Sequence, residues 1–138
     1  PIIRHGKEVS INKTTNKQEM LSKTIDIIDS NQKDGYTTIA IICRTLEETK
    51  LVHDNLKKYV KVEALTENME DMNFTNGVMV LPIHMTKGLE FDSVILWNPD
   101  YNNYEAGDAD AKLLYVAITR ALHELHIVYE GELAKLLS

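Results

Sequence analysis

Two stretches of this 138-residue chain put charge where apolar residues dominate. Residues 84–91 (HMTKGLEF) set a histidine, a lysine, a glycine and a glutamate between the apolar runs 78–83 (VMVLPI) and 93–97 (SVILW). Residues 114–121 (LYVAITRA) carry one arginine, Arg120, on a helical pattern with no other charge after Lys112. Its face neighbours at helical spacing are Leu113, Val116 and Ala117. A helix apolar nearly all round is a buried one, and a buried arginine needs a partner. Two partners stay open. One is Glu124, four residues on. The other is a ligand phosphate, which the guanidinium fork grips with paired, charge-assisted bonds.

In the first stretch, Lys87 and Glu90 fit either a local surface ion pair or a nucleotide cleft. In the cleft, Lys87 lies near phosphate and Glu90 accepts from ribose hydroxyls. Gly88 is where backbone could approach a ligand. His84 fits the rim of a core as well as a ligand site. Arg44 directly follows the apolar run 38–43 (TIAIIC). A phosphate-cradling loop needs G-x-x-x-x-G-K-[ST], and none of the glycines at 6, 35, 77, 88, 107 and 131 begins one. The chain is therefore neither a complete P-loop NTPase nor a dinucleotide-binding domain. A free-standing flavodoxin-like ligand domain is disfavoured too, since no phosphate loop follows Cys43. No cysteine–histidine cluster suggests a metal. His123 and His126, at a helix-to-strand junction, read as solvated.

The elements that must hold these residues alternate. Residues 2–11 read as a hairpin turning at His5-Gly6, so 1–15 are expected to link to a preceding domain, and 16–138 to form the domain proper. A helix is expected over 16–30 and a strand over 38–43. A second helix, capped by Thr45 with Glu48 as its box partner, runs to about Lys58. Strands follow at 60–65, 78–83 and 93–97, with a polar loop at 66–76. A long helix capped by Asp108 or Asp110 extends to about Leu122. A strand at 125–129 and a short helix at 132–137 end the chain. Apolar strands alternating with helices imply a mostly parallel sheet covered on both faces. Ligands bind outside the strand C-terminal ends of such sheets, where Arg44, His84 and Lys87 are expected.

The net charge of −6 argues against a free-standing nucleic-acid binder held by charge alone. It leaves room for a domain that adds a few contacts to a larger machine. The lone Cys43 forms no internal disulfide and fits a reducing cytoplasm. No apolar run nears the roughly 20 residues of a membrane span. A chain starting at Pro1 suggests a piece of a longer protein. Trp97, Tyr101 and Tyr104 flank the loop before the last long helix, as packing or as base-stacking rings.

Taken together, 41–45 (IICRT), 80–92 (VLPIHMTKGLEFD) and 114–121 (LYVAITRA) resemble helicase motifs IV, V and VI. They resemble those of the second RecA-like domain of superfamily 1 DNA helicases, the UvrD/Rep/PcrA-like group. The flavour is nearest the helicase IV branch with its RNA-polymerase-associated relatives. The resemblance implies an α/β, RecA-like, P-loop-NTPase-type three-layer domain without its own P-loop. It implies Arg44 and Arg120 as arginine fingers on the γ-phosphate of ATP. Lys87, Gly88 and Glu90 would line the nucleotide, with Glu90 on the ribose. His84 and Thr86 would contact DNA, while Tyr115 and Thr119 would support the motif VI helix. ATP with Mg2+ would be completed by an N-terminal RecA-like domain of the same protein, so the chain alone would hydrolyse nothing. Partners would be single-stranded or duplex DNA, with RNA polymerase as a further one, in the cytoplasm, with no membrane and 3′-to-5′ movement. Two residues depart from the family pattern. Cys43 stands where an aromatic normally stacks on adenine. Pro82 stands where a threonine hydroxyl would touch DNA.

Overall fold

The computed structural model describes residues 8–66, 76–100, 102–105 and 107–138. One six-stranded sheet runs through it in the order β1-β6-β5-β2-β4-β3. Its strands are β1 (Glu8–Thr14), β2 (Thr38–Cys43), β3 (Glu63–Ala64), β4 (Gly77–Pro82), β5 (Phe91–Trp97) and β6 (Ala121–Glu130). Every pairing is parallel. Helices α1 (Lys17–Lys33) and α2 (Leu46–Leu56) belong to one face, and α3 (Asp108–Thr119) to the other.

Strand alternation explains the layering. In β2, Ile39, Ile41 and Cys43 pack with the α1/α2 core, whereas Ala40 and Ile42 pack with the α3 core. All five are buried, so this central strand reads as a continuous apolar run. Each fully buried Ile or Leu contributes about 2 kcal/mol by removal from water. The Asn16 side chain accepts from the Glu19 amide and starts α1. Thr45 starts α2 by accepting from Glu48 N, while the Glu48 carboxylate reaches back to Arg44 N at 2.8 Å. Residues 43–45 are thus held in a variant of the capping box.

Several expectations change. From Glu8 the chain forms a strand, and all seven of its residues pair with β6. The split at residue 15 therefore does not separate β1 from the sheet. The proposed turn at His5-Gly6, most of the 66–76 loop and Tyr101 lie outside the described residues. α3 is capped by Gly107, with Asp108 and Asp110 in its first turn, where their charge suits the helix dipole. It ends at Thr119, and β6 begins at Ala121 without a loop. Leu122 and Leu125 are therefore strand residues. The 60–65 strand shrinks to Glu63–Ala64, and the terminal helix to a 3-10 turn at Lys135–Leu137. Among the described residues, no helix is long and apolar enough to cross a membrane.

Candidate functional site

Register locates each candidate along the strands. Ile42 is level with Leu96, so Arg44 stands level with Asn98, beyond the strand C-terminal ends. Phe91 is level with Ala121, so Glu90 and Arg120 stand side by side at the opposite, N-terminal edge. The Phe91 amide donates to the Arg120 carbonyl at 2.9 Å, fixing that neighbourhood. Eight strand positions separate the two levels, roughly 25 Å. The Arg44 guanidinium is held at the first turn of α3, and Arg120 stands ten residues on, at the end of the same helix. Arg44 and His84 stand at the C-terminal edge, where they are expected, whereas Lys87 lies further along the segment that crosses toward Glu90 and Arg120.

The two arginines also differ in how they are satisfied. Arg44 Nε donates to Asn103 O at 3.1 Å, Nη2 lies 3.5 Å from Asp110 Oδ1, and the guanidinium sits 5.4 Å from the Tyr104 ring centre. Tyr104 is buried, and burial pushes its phenol well above the ordinary value. Arg44 thus latches the loop before α3, and α3's first turn, onto the end of β2. Arg120 caps the C-terminus of α3. Its Nε donates to Val116 O and its Nη2 to Thr119 Oγ1, each at 3.1 Å. These acceptors belong to its own last helical turn, and no carboxylate pairs with it among the described residues. The salt bridge to Glu124 is absent because Glu124, on β6, points to the α1 side. There it accepts from Asn31 Nδ2 at 2.9 Å and bonds His126 Nε2 at 2.6 Å. Arg120 itself is half-buried, and Tyr115 is 45% exposed. The helix is therefore not buried all round.

The 83–90 crossover joins the two edges. It leaves β4 at Pro82, level with Cys43, and reaches β5 at Phe91. A 3-10 turn at Ile83–Met85 packs Ile83 into the α3 core, with Met85 and Leu89 against it. His84 is exposed at the C-terminal edge, and Lys87 and Glu90 are exposed further along. Gly88 takes φ +85°, and a Cβ there would meet open space. Its backbone angle, rather than a close approach, is what calls for glycine. Thr86 is wholly buried, and its hydroxyl donates to Ile83 O at 2.8 Å. It holds the turn and has no surface for DNA. Cys43 is buried at the C-terminal edge, where burial raises its thiol pKa, so nothing at that position could stack on a base beside Glu90. Trp97 and Tyr104 are packed, not displayed.

Sequence reasoning missed a polar seam under α1. His126 is not solvated: its Nδ1 meets Ser10 Oγ at 2.6 Å and its Nε2 meets Glu124. Burial opposes the Glu124 charge, but the His126 and Asn31 bonds outweigh it and hold its pKa below the usual range. At the N-terminal edge, Asp92 behaves alike. Burial opposes its charge, and bonds from Thr37 and Thr38 overcome that. Starting β6 at Ala121 puts 124 and 126 on one face, the periodicity that a longer α3 concealed.

An all-parallel, three-layer sheet with an arginine-tipped helix beside a glycine–glutamate turn, and no P-loop motif, defines a RecA-like domain. The comparisons narrow the class. Residues 77–128 match the UvrD-like helicase C-terminal domain family. The crystal structure of the C-terminal domain of a possible DNA helicase from Lactobacillus plantarum WCFS1 is 33% identical, with a TM-score of 0.84. That match covers 99% of this chain and 84% of that one. The chain belongs to the UvrD-like helicase C-terminal domain family, of the UvrD/Rep/PcrA type in superfamily 1. Two more distant structures share the fold at 10% identity. They are the UvsW helicase of bacteriophage T4, with a TM-score of 0.61, and domain 2 of the DEAD-box helicase Mss116p bound to an RNA duplex, with 0.63. This chain covers 46% and 55% of their lengths and 88% and 91% of its own. A search of curated proteins finds no match. Arg44 lies outside the matched 77–128 segment, whereas His84, Lys87, Glu90 and Arg120 lie within it.

Proposed function

We propose that this chain is the second motor domain of an ATP-dependent DNA helicase or translocase, acting at an ATP site completed by an N-terminal RecA-like domain. The observation that carries this reading is the placing of Glu90 beside Arg120 at one edge, where among the described residues the guanidinium is bonded only within its own helix. Those bonds aim a cation without neutralising it. On closure of the two domains, Arg120 meets the γ-phosphate and Glu90 accepts from the ribose hydroxyls. Lys87 and Gly88 line the cleft. Phosphoryl transfer is catalysed largely by position and by cations on the transferring group. Among the described residues no three His, Cys, Asp or Glu side chains converge on a metal site. The family resemblance leaves the Mg2+ of ATP mainly to the other domain. His84 contacts the single strand, and the 83–90 crossover carries the nucleotide state from one edge to the other. Movement in the 3′-to-5′ direction follows from the family resemblance. Arg44 takes the role of a latch instead of a second finger.

The test is ATP turnover by the intact protein with Arg120→Ala. A fall of about 10³-fold or more, with the fold intact by circular dichroism, agrees with the reading. Near wild-type turnover contradicts it.

A second reading places the protein in the helicase IV branch, remodelling RNA polymerase or another partner with little unwinding. One observation favours it. A groove of about 680 Å³ opens between α1 and α2, floored by Val52 and Trp97 and walled by Leu51 (64% exposed) and Tyr59 (66% exposed). Such apolar exposure suits a protein partner. ATP hydrolysis without strand displacement by the intact protein supports this second reading; displacement coupled to hydrolysis supports the first.

A further inference from the structure

Helices α1 and α2 leave part of one sheet face open. α1 packs mainly on β6 and α2 mainly on β4. Between those strands lie β5 and β2. β5 ends in Trp97, which belongs to the α1/α2 core. The groove between the helices therefore has Trp97 and Val52 as its floor, Leu21 on the α1 side, and Leu51 and Tyr59 on the α2 side. Among the described residues, Leu51 and Tyr59 are the two most exposed of the large apolar side chains. Apolar exposure gathered on one groove, rather than scattered singly, marks an interaction site.

Most polar groups of the lining are already engaged. Lys17 bonds Glu130, and the Glu48 carboxylate accepts from the Arg44 amide at 2.8 Å. The Glu48 amide donates to Thr45 Oγ1 at 3.1 Å, and Asn55 Nδ2 donates to Leu51 O at 2.9 Å. Few polar groups are left to orient a small polar ligand. The walls are helices, whose backbone groups are bonded among themselves. An extended peptide would find no sheet edge there and would leave its amides unmatched. A helix carries its own backbone bonds and needs only a place for its apolar face.

Charge is graded along the α2 lip of the groove. Glu47, Leu51 and Asn55 succeed one another at single-turn spacing, all exposed, and exposed Lys58 follows in the turn after the helix. The lip thus runs from an acid through an apolar centre to a base. Among the described residues, neither Glu47 nor Lys58 has an ion-pair partner. A helix has a positive N-terminal end and a negative C-terminal end. We propose that the groove docks one amphipathic helix of a protein partner, lying parallel to α2. Its large apolar side chains, at i, i+3 or i+4 and i+7, enter between Leu21, Leu51 and Tyr59. A base near its N-terminus faces Glu47, and an acid near its C-terminus faces Lys58. The proposal deepens the partner-binding reading given above, on which it rests for the existence of such a partner, and names that partner's chemistry.

The test uses the intact protein and helix-locked peptides of about 15 residues, since free helices of that length are marginal in water. The peptides are randomised on one face and at both ends, and those that bind are selected. The expected peptides carry bulky apolar residues at the stated spacing, a base toward the N-terminus and an acid toward the C-terminus. Leu51→Asp, at an exposed position, weakens their binding about 10-fold or more by setting a charge against the apolar stripe. Lys58→Glu weakens it about 3-fold, and exchanging the peptide's acid for a base restores it. No selected peptide, or peptides bound equally by Leu51→Asp, overturns the proposal. A single-stranded oligonucleotide whose affinity falls as far in Leu51→Asp also overturns it, because nucleic acid is then the occupant. So does a Leu51→Cys thiol that maleimide cannot reach in the intact protein, because another part of the same chain then fills the groove. Strand displacement separates the two levels of the argument. If hydrolysis proceeds without displacement and no peptide is selected, only the groove fails. If peptides are selected and displacement is coupled to hydrolysis, the groove stands and the reading of the whole protein changes.

Discussion

The two edges of the sheet use arginine in opposite ways. At the C-terminal edge, Arg44 meets a carbonyl and an aromatic face from the segment leading into α3 and a carboxylate from its first turn. At the N-terminal edge, Arg120 has, among the described residues, only the carbonyl and hydroxyl of its own last turn. A cation matched by a carboxylate and a ring is spent on structure. A cation at a helix C-terminus, held by its own helix, is oriented and still charged. Both residues occupy the same sequence context, an arginine at the end of an apolar element, and only the surroundings separate a latch from a candidate finger.

The largest stability effect is expected at neither arginine. Glu124→Ala leaves the buried Asn31 amide and His126 without their acceptor. It should destabilise the domain by about 3 kcal/mol, read from chemical denaturation. Arg44→Ala comes next, at about 2 kcal/mol, with the loss confined to the loop before α3 and its first turn and visible as faster amide exchange there. If Arg44→Ala is neutral to stability, the latch is wrong and the contrast between the edges collapses.

Asp92 sharpens the same contrast by pH. Its carboxyl is held below the ordinary value in the folded state, as is that of Glu124. A group with a lowered folded pKa stabilises fully above its unfolded pKa, about 4 for a carboxylate, and loses that contribution as pH falls toward the folded value. Melting temperature should therefore be flat from pH 7 to about 5 and drop below about 4. Asp92→Asn should make that drop shallower and lower the neutral-pH stability by about 1 kcal/mol. The smallest effect is predicted for Thr86→Val: DNA affinity of the intact protein within about 2-fold, with about 1 kcal/mol lost from the fold. A large loss of DNA affinity there would return Thr86 to the DNA surface.

Much of this was legible in the residues. The continuous apolar runs at 38–43, 78–83 and 93–97 marked buried parallel strands, and KGLEFD with LYVAITRA marked the family. What stayed hidden depended on register. Arg44 was legible as the residue after a strand, but with α3 read on to Leu122 nothing local showed that Arg120 directly precedes β6 at the other edge. The partner of β1 was hidden for the same reason, since it lies more than 110 residues away in β6. Periodicity also ran α3 on to Leu122, because LHELHIVY keeps apolar residues at spacings compatible with both helix and strand. The stacked rings of Tyr36 and His123 join residues 87 positions apart, and no motif contains either.

The central claim is that only the N-terminal edge faces the transferring phosphate. The most direct test compares DNA-stimulated ATP turnover of the intact protein carrying Arg120→Ala with the same protein carrying Arg44→Ala, both at saturating ATP and below their melting temperatures. The account predicts a loss of about 10³-fold or more for Arg120→Ala and less than about 10-fold for Arg44→Ala. Equal, thousandfold losses in two folded variants would contradict it.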